Sequence, residues 1–177
     1  MKMGMQFISH NRTWTCTQIP ALIFDDVQAK NYSRFVDSGG YIKAIMSELH
    51  PRLAADTLPL ATWELSQVRL MNDANYPWLI LVPARKNVTG LHQLSPQDGA
   101  ALMSEINRAS MALEQLYTPS RINVAALGNM VSQLHIHVIA RFENDAAWPG
   151  PVWGAVPTKD YGDEDLRQTV EKFVRAF

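Results

Sequence analysis

The sequence predicts an α+β fold: an antiparallel sheet of about five strands with one long helix packed across it, plus a C-terminal helix. Three observations carry this. Gln133-Leu134-His135-Ile136-His137-Val138 alternates polar and apolar residues, the period of a half-buried strand. Residues 63–71 and the apolar run Trp78-Leu79-Ile80-Leu81-Val82 flank a turn cluster, Asn72-Asp73-Ala74-Asn75-Tyr76-Pro77, which makes them an antiparallel hairpin. Leu102, Ile106, Ala109, Leu113 and Leu116 recur at steps of three and four, the spacing of one buried helix face.

Taken in order, residues 1–45 show no sustained periodicity, and Asp37-Ser38-Gly39-Gly40 is a break. A short helix can begin after Gly40, through Tyr41, Ile42, Ile45, Met46 and Leu49. It must end by His50, because Pro51 disfavours the α conformation in the residue before it. Readable pattern starts near Leu49. We therefore expect a domain over residues 46–177, with 1–45 either peripheral to it or an extension foreign to the natural protein. His50-Pro51-Arg52-Leu53 reads as a structured lead-in, where His50 serves as a cap or packing residue rather than a ligand.

Ser95 is placed to cap the long helix over 95–117, Pro96 to fill its first position, and Asp98 to face the positive helix end. Thr118-Pro119 stops it. Met103 and Met111 are expected to fill gaps in the core. Asn123 to Leu127 is the next strand, Gly128-Asn129 a turn, and the strand bearing His135 and His137 follows. Trp148-Pro149-Gly150-Pro151-Val152-Trp153-Gly154 is extended, its tryptophans packing on the domain or on a second subunit. Leu166, Val170, Phe173 and Val174 define a helix over about 163–176.

On a strand, Gln133, His135 and His137 face one way, so two of the chain's five histidines stand side by side. Imidazole titrates near neutral pH, which points to acid/base, nucleophilic or metal chemistry. A His-x-His unit can also give a metal two ligands, but zinc sites usually want three or four. The other histidines, His10, His50 and His92, lie apart, with no cysteine cluster beside them.

The Gln133-to-Val138 strand resembles the signature of the histidine-triad (HIT) superfamily of nucleotide hydrolases and transferases. Gln133 stands at the first triad position, and His135 and His137 match the second and third. Arg69-Leu70-Met71-Asn72-Asp73 with Trp78 to Pro83 resembles the family's first hairpin. Leu91 to Pro96 resembles the start of its long helix, and Asn123 to Asn129 the strand and loop before the histidines. The match spans roughly 48–154.

The resemblance implies that His135 is the nucleophile at an α-phosphorus, forming a nucleotidyl-His intermediate. His137 then contacts the phosphate or serves the leaving group, with Gln133 in support. It implies phosphate donors at Asn123 and Asn129 and a sugar contact at Asn72. Met130 stands where many relatives have Ser or Thr, and Trp78 where some have His. The family also implies a homodimer through the 95–117 helix and a strand beside it. The alternatives are a nucleotide-binding module without turnover and a metal site on His135 and His137.

Composition narrows the rest. The chain is 47% apolar and 19% charged with a net charge of −1, so nothing suggests a nucleic-acid or anionic-membrane partner. Cys16 is the only cysteine, which rules out an intramolecular disulfide framework. No apolar run approaches the ~20 residues of a membrane helix, and no signal pattern opens the chain. A cytoplasmic protein needing no cofactor is the expectation.

Overall fold

The computed structural model describes residues 49–177 and the backbone of two short strands, β1 (Gln6–Ser9) and β2 (Arg12–Thr15). The helix expected after Gly40, and the character of most of residues 1–45, fall outside the described residues. The chain divides into two compact units, Met1–Asp56 and Thr57–Phe177. In the first, β1 and β2 pair antiparallel. Helix α1 (Pro51–Asp56) carries proline at its first position, where the missing N–H is no loss. His50 caps it, its Nδ1 accepting from the Arg52 amide at 3.1 Å.

The second unit is a five-stranded antiparallel sheet in the order β3-β4-β5-β7-β6. Its strands are β3 (Thr57–Thr62), β4 (Ser66–Met71), β5 (Trp78–Pro83), β6 (Arg121–Ala125) and β7 (Ile136–Arg141). Every residue of β5 and β7 is buried. A strand covered on both faces needs apolar groups on both, which is why Trp78–Pro83 reads as an unbroken apolar run. The edge strand β3 holds Pro59, which cannot donate to a ladder, and its register with β4 shifts between Pro59 and Ala61. Thr57 pins that edge: Arg69 Nε donates to its hydroxyl at 2.5 Å and Nη2 to its carbonyl at 3.0 Å. Burial pushes the Arg69 guanidinium down to about 10.

Helix α2 (Pro96–Tyr117) packs on β5, β6 and β7 through Leu102, Ala109, Ala112 and Leu113. Its caps are the expected ones. Ser95 Oγ accepts from the Asp98 amide at 3.1 Å, and Thr118 ends the helix in the left-handed region at φ 49°. Met103 and Met111, expected in the core, are exposed instead. They lie on the side of α2 turned away from the sheet. Helix α3 (Asp163–Ala176) packs on α2 and β3, with Phe173 fully buried. Among the described residues no helix is long and apolar enough to cross a membrane.

Three boundaries differ from the sequence reading. The stretch expected as one strand over 63–71 begins only at Ser66, after the turn from β3. Strand β6 occupies 121–125 rather than 123–127. The histidine strand begins at Ile136 rather than Gln133, because β5 pairs it only as far as Leu81 with Ile136. The preceding residues bond to a loop instead, Leu134 donating to the Val88 carbonyl at 2.9 Å.

Candidate active site

Strand pairing gathers the site on one face of the sheet. Residues directly opposite in antiparallel strands share a face. Ile80 lies opposite His137, Trp78 opposite Ile139, and Ala125 and Asn123 opposite His137 and Ile139. His135 joins His137 from the segment just before β7, their ring centroids 4.9 Å apart and nearly perpendicular. Both are buried, at 7% and 5% exposure.

Their Nδ1 atoms have opposite partners. His135 Nδ1 lies 2.8 Å from the carbonyl of Gln133. A carbonyl only accepts, so Nδ1 carries a proton, and the neutral form of the ring has its lone pair at Nε2. His137 Nδ1 instead accepts from the indole N–H of Trp78 at 3.1 Å. Trp153 closes the cluster edge-on, its ring centroid 5.2 Å from His137 and 5.7 Å from Trp78. Burial, and secondarily the neighbouring His135, push His137 down to about 3, so it is neutral at physiological pH.

Of the amides expected to serve the substrate, Asn123 alone lies on a strand of this face. Asn123 stands level with Ile139, ~7 Å beyond His137 on the side away from His135. Its Oδ1 accepts from Arg141 Nη1 at 2.8 Å, which fixes the end of the amide that faces Arg141. Asn129 and Met130 are exposed in the loop between β6 and β7, on His135's side of the sheet. Gly128 opens that loop at φ 72°, a conformation glycine adopts without strain. Asn72 sits at the β4–β5 turn, at the other end of β5. Its Nδ2 donates to Asp160 Oδ1 at 3.0 Å and its Oδ1 accepts from the Tyr161 amide at 3.3 Å. Gln133 lends its backbone carbonyl to His135, and its half-buried side chain precedes the strand.

Two features of the site escaped the sequence reading. One is the Trp78 donor, for which strand parity with His137 was the available signal. The other is the Arg141–Asp145 pair behind Asn123, which a loop closes and no pattern announces. Among the described residues no group of three or more His, Cys, Asp or Glu side chains is placed to hold a metal ion.

The HIT domain family model matches residues 54–144, the stretch that contains all five strands of the sheet and both site histidines. The chain belongs to the HIT family. Its five-stranded α+β architecture is the HIT fold, shared with solved histidine triad proteins. One from Bradyrhizobium japonicum is 42% identical with a TM-score of 0.71, covering 72% of this chain and 96% of that one. Another, from Sinorhizobium meliloti, is 43% identical with a TM-score of 0.71, covering 73% and 96%. A third, from Marinobacter aquaeolei, is 42% identical with a TM-score of 0.71, covering 72% and 93%. No curated protein matches the chain significantly. In this HIT protein the tryptophan at 78 takes up the Nδ1 ring nitrogen of His137.

Proposed function

We propose that this protein is a cytoplasmic nucleotide-binding hydrolase or nucleotidyl transferase acting at the α-phosphorus of a nucleoside phosphoryl compound. Dinucleoside polyphosphates and nucleoside phosphoramidates are the candidate substrates. The observation that carries the reading is the 2.8 Å contact between His135 Nδ1 and the Gln133 carbonyl, which selects the tautomer of the neutral ring whose lone pair is at Nε2. Nε2 attacks phosphorus, the Nε2–P bond forms, and the bond to the leaving group breaks with its electron pair. The Gln133 carbonyl steadies the imidazolium that results. Water or another hydroxyl acceptor then bonds through oxygen to phosphorus and gives up its proton to solvent, while the Nε2–P bond breaks and its electron pair returns to Nε2. Neutral His137, Asn129 and the NH2 of Asn123 offer donors to phosphate oxygens, and Asn72 offers a contact to the sugar. Residues 46–177 hold all of these groups, and 1–45 are peripheral to the chemistry.

The test is a hydrolysis panel over both substrate classes, with intact-mass analysis of the quenched enzyme. The expected result is a nucleotide monophosphate product and a nucleotidyl adduct on His135. Nucleotide bound without any turnover would make the protein a binding module.

The same reading includes a homodimer through α2 and the neighbouring edge strand β6. Met103 and Met111 on α2 and Val124 on β6 are exposed apolar side chains in the single chain. Sedimentation is expected to give a dimer at micromolar concentration, and Met111→Glu with Val124→Glu to give a monomer. A monomeric wild-type protein would remove the dimer from the proposal.

A further inference from the structure

We infer that Trp78 is a positioning residue that acts through His137, fixing it as a neutral ring with its proton on Nε2. The two adjacent imidazoles need opposite tautomers. A nucleophilic His135 needs a lone pair at Nε2, whereas a phosphate oxygen is only an acceptor and needs an N–H from His137. The wrong tautomer of His137 would set a lone pair against an anionic oxygen. The fold imposes the difference at Nδ1, with a carbonyl acceptor on His135 and an indole donor on His137. Indole nitrogen has no acceptor capacity, so this contact admits one tautomer of neutral His137.

The surroundings keep the arrangement dry and rigid. His137 is buried against both indole rings, and Trp78 is itself buried in a central strand. Its backbone is held opposite Ile139, so the N–H returns to the same place whenever the sheet forms. Partners that orient metal-bound histidines typically contribute about 10–100-fold when removed, and the Trp78 donor is expected to act on the same scale.

The inference rests on the proposed His135 chemistry for its kinetic arm only; the tautomer is measurable without any substrate. Nitrogen-15 spectra of the wild-type histidines at neutral pH are expected to show His137 protonated at Nε2 and His135 at Nδ1. A proton on His137 Nδ1 overturns the inference whatever the variants do. Trp78→Phe keeps an aromatic ring and removes the donor, and Trp78→His restores an N–H on a smaller ring. Trp78→Phe is expected to mix the His137 tautomers and lower kcat about 10–100-fold with KM little changed, and Trp78→His to recover most of both. Unchanged kcat in Trp78→Phe overturns the inference. So does a loss of kcat with the tautomer intact, which is a packing effect, or a Trp78→His enzyme no better than Trp78→Phe. Wild-type protein that turns over neither substrate class sinks the functional reading instead, and the tautomer measurement still decides this one.

Discussion

Replacing His135 with alanine is expected to lower turnover on the order of 10⁴-fold while leaving nucleotide affinity within a few-fold of wild type. The asymmetry follows from what His135 does. In the proposed mechanism it supplies the atom that bonds to phosphorus, and no neighbouring group in the cluster can take over. His137 Nδ1 is occupied by Trp78, and its Nε2 carries the proton. The fold has little reason to suffer. His135 precedes the β7 ladder, and its side-chain hydrogen bond among the described residues is with the Gln133 carbonyl two residues back. Losing that contact costs about 1 kcal/mol. Single-turnover kinetics and calorimetric nucleotide binding on the same preparation separate the two effects. Turnover within tenfold of wild type would displace His135 as nucleophile, and lost binding with lost stability would make it a structural residue.

The largest effect on stability is expected at Asp145. Arg141 and Asp145 form a two-pronged ion pair, Nε to Oδ2 at 2.7 Å and Nη2 to Oδ1 at 3.0 Å, with side chains 2% and 5% exposed. The remaining bonding capacity is also used. Asp145 accepts from the amides of Phe142 and Ala147, and Arg141 donates to Asn123 and to the Gly150 carbonyl. Asp145→Asn removes the charge and turns one acceptor into a donor that faces other donors. Leaving a buried guanidinium uncompensated costs about 3–5 kcal/mol, which urea unfolding should show as a lower midpoint. A loss below about 1 kcal/mol would mean that the pair behaves like a surface ion pair.

The pH dependence of that difference has a definite sign. The Arg141 guanidinium first, then the two backbone amides, hold the Asp145 carboxyl below the usual carboxylate range. A group whose pKa falls on folding contributes stability that is fully present above its unfolded value, near ~3.9. That contribution is lost as pH falls through the lower, folded value. The gap between wild type and Asp145→Asn should therefore be constant at neutral pH and close in acid below about pH 4.

What the sequence could and could not convey follows from the range of each interaction. Trp78 to Val82 was legible as a strand because burial on both faces leaves an unbroken apolar run. The caps of α2 were legible because Ser95, Pro96 and Asp98 act within three residues of one another. Strand β3 was missed: Pro59 and the bulge beside it obscure the alternation, and an edge strand can carry both. Gln133 to His135 alternates as a strand does, yet the partner that would extend the ladder is not there. Within the site, the histidine pair was readable from its own six residues. The ties that orient its neighbours were not. Asn72 is held by Asp160 across 88 positions, and the Trp78 donor reaches His137 across 59. Such distances leave no local trace.

The 59 positions between Trp78 and His137 also order the assembly of the protein. The β3–β4, β4–β5 and β6–β7 pairings join neighbours in the chain and close short loops. The β5–β7 pairing must bring two such local units together around the whole of α2, at a larger cost in chain entropy. The histidines and the tryptophan that orients one of them lie on opposite sides of that single seam. Each hairpin alone therefore lacks a site, and ligand can favour only chains in which the seam has already closed.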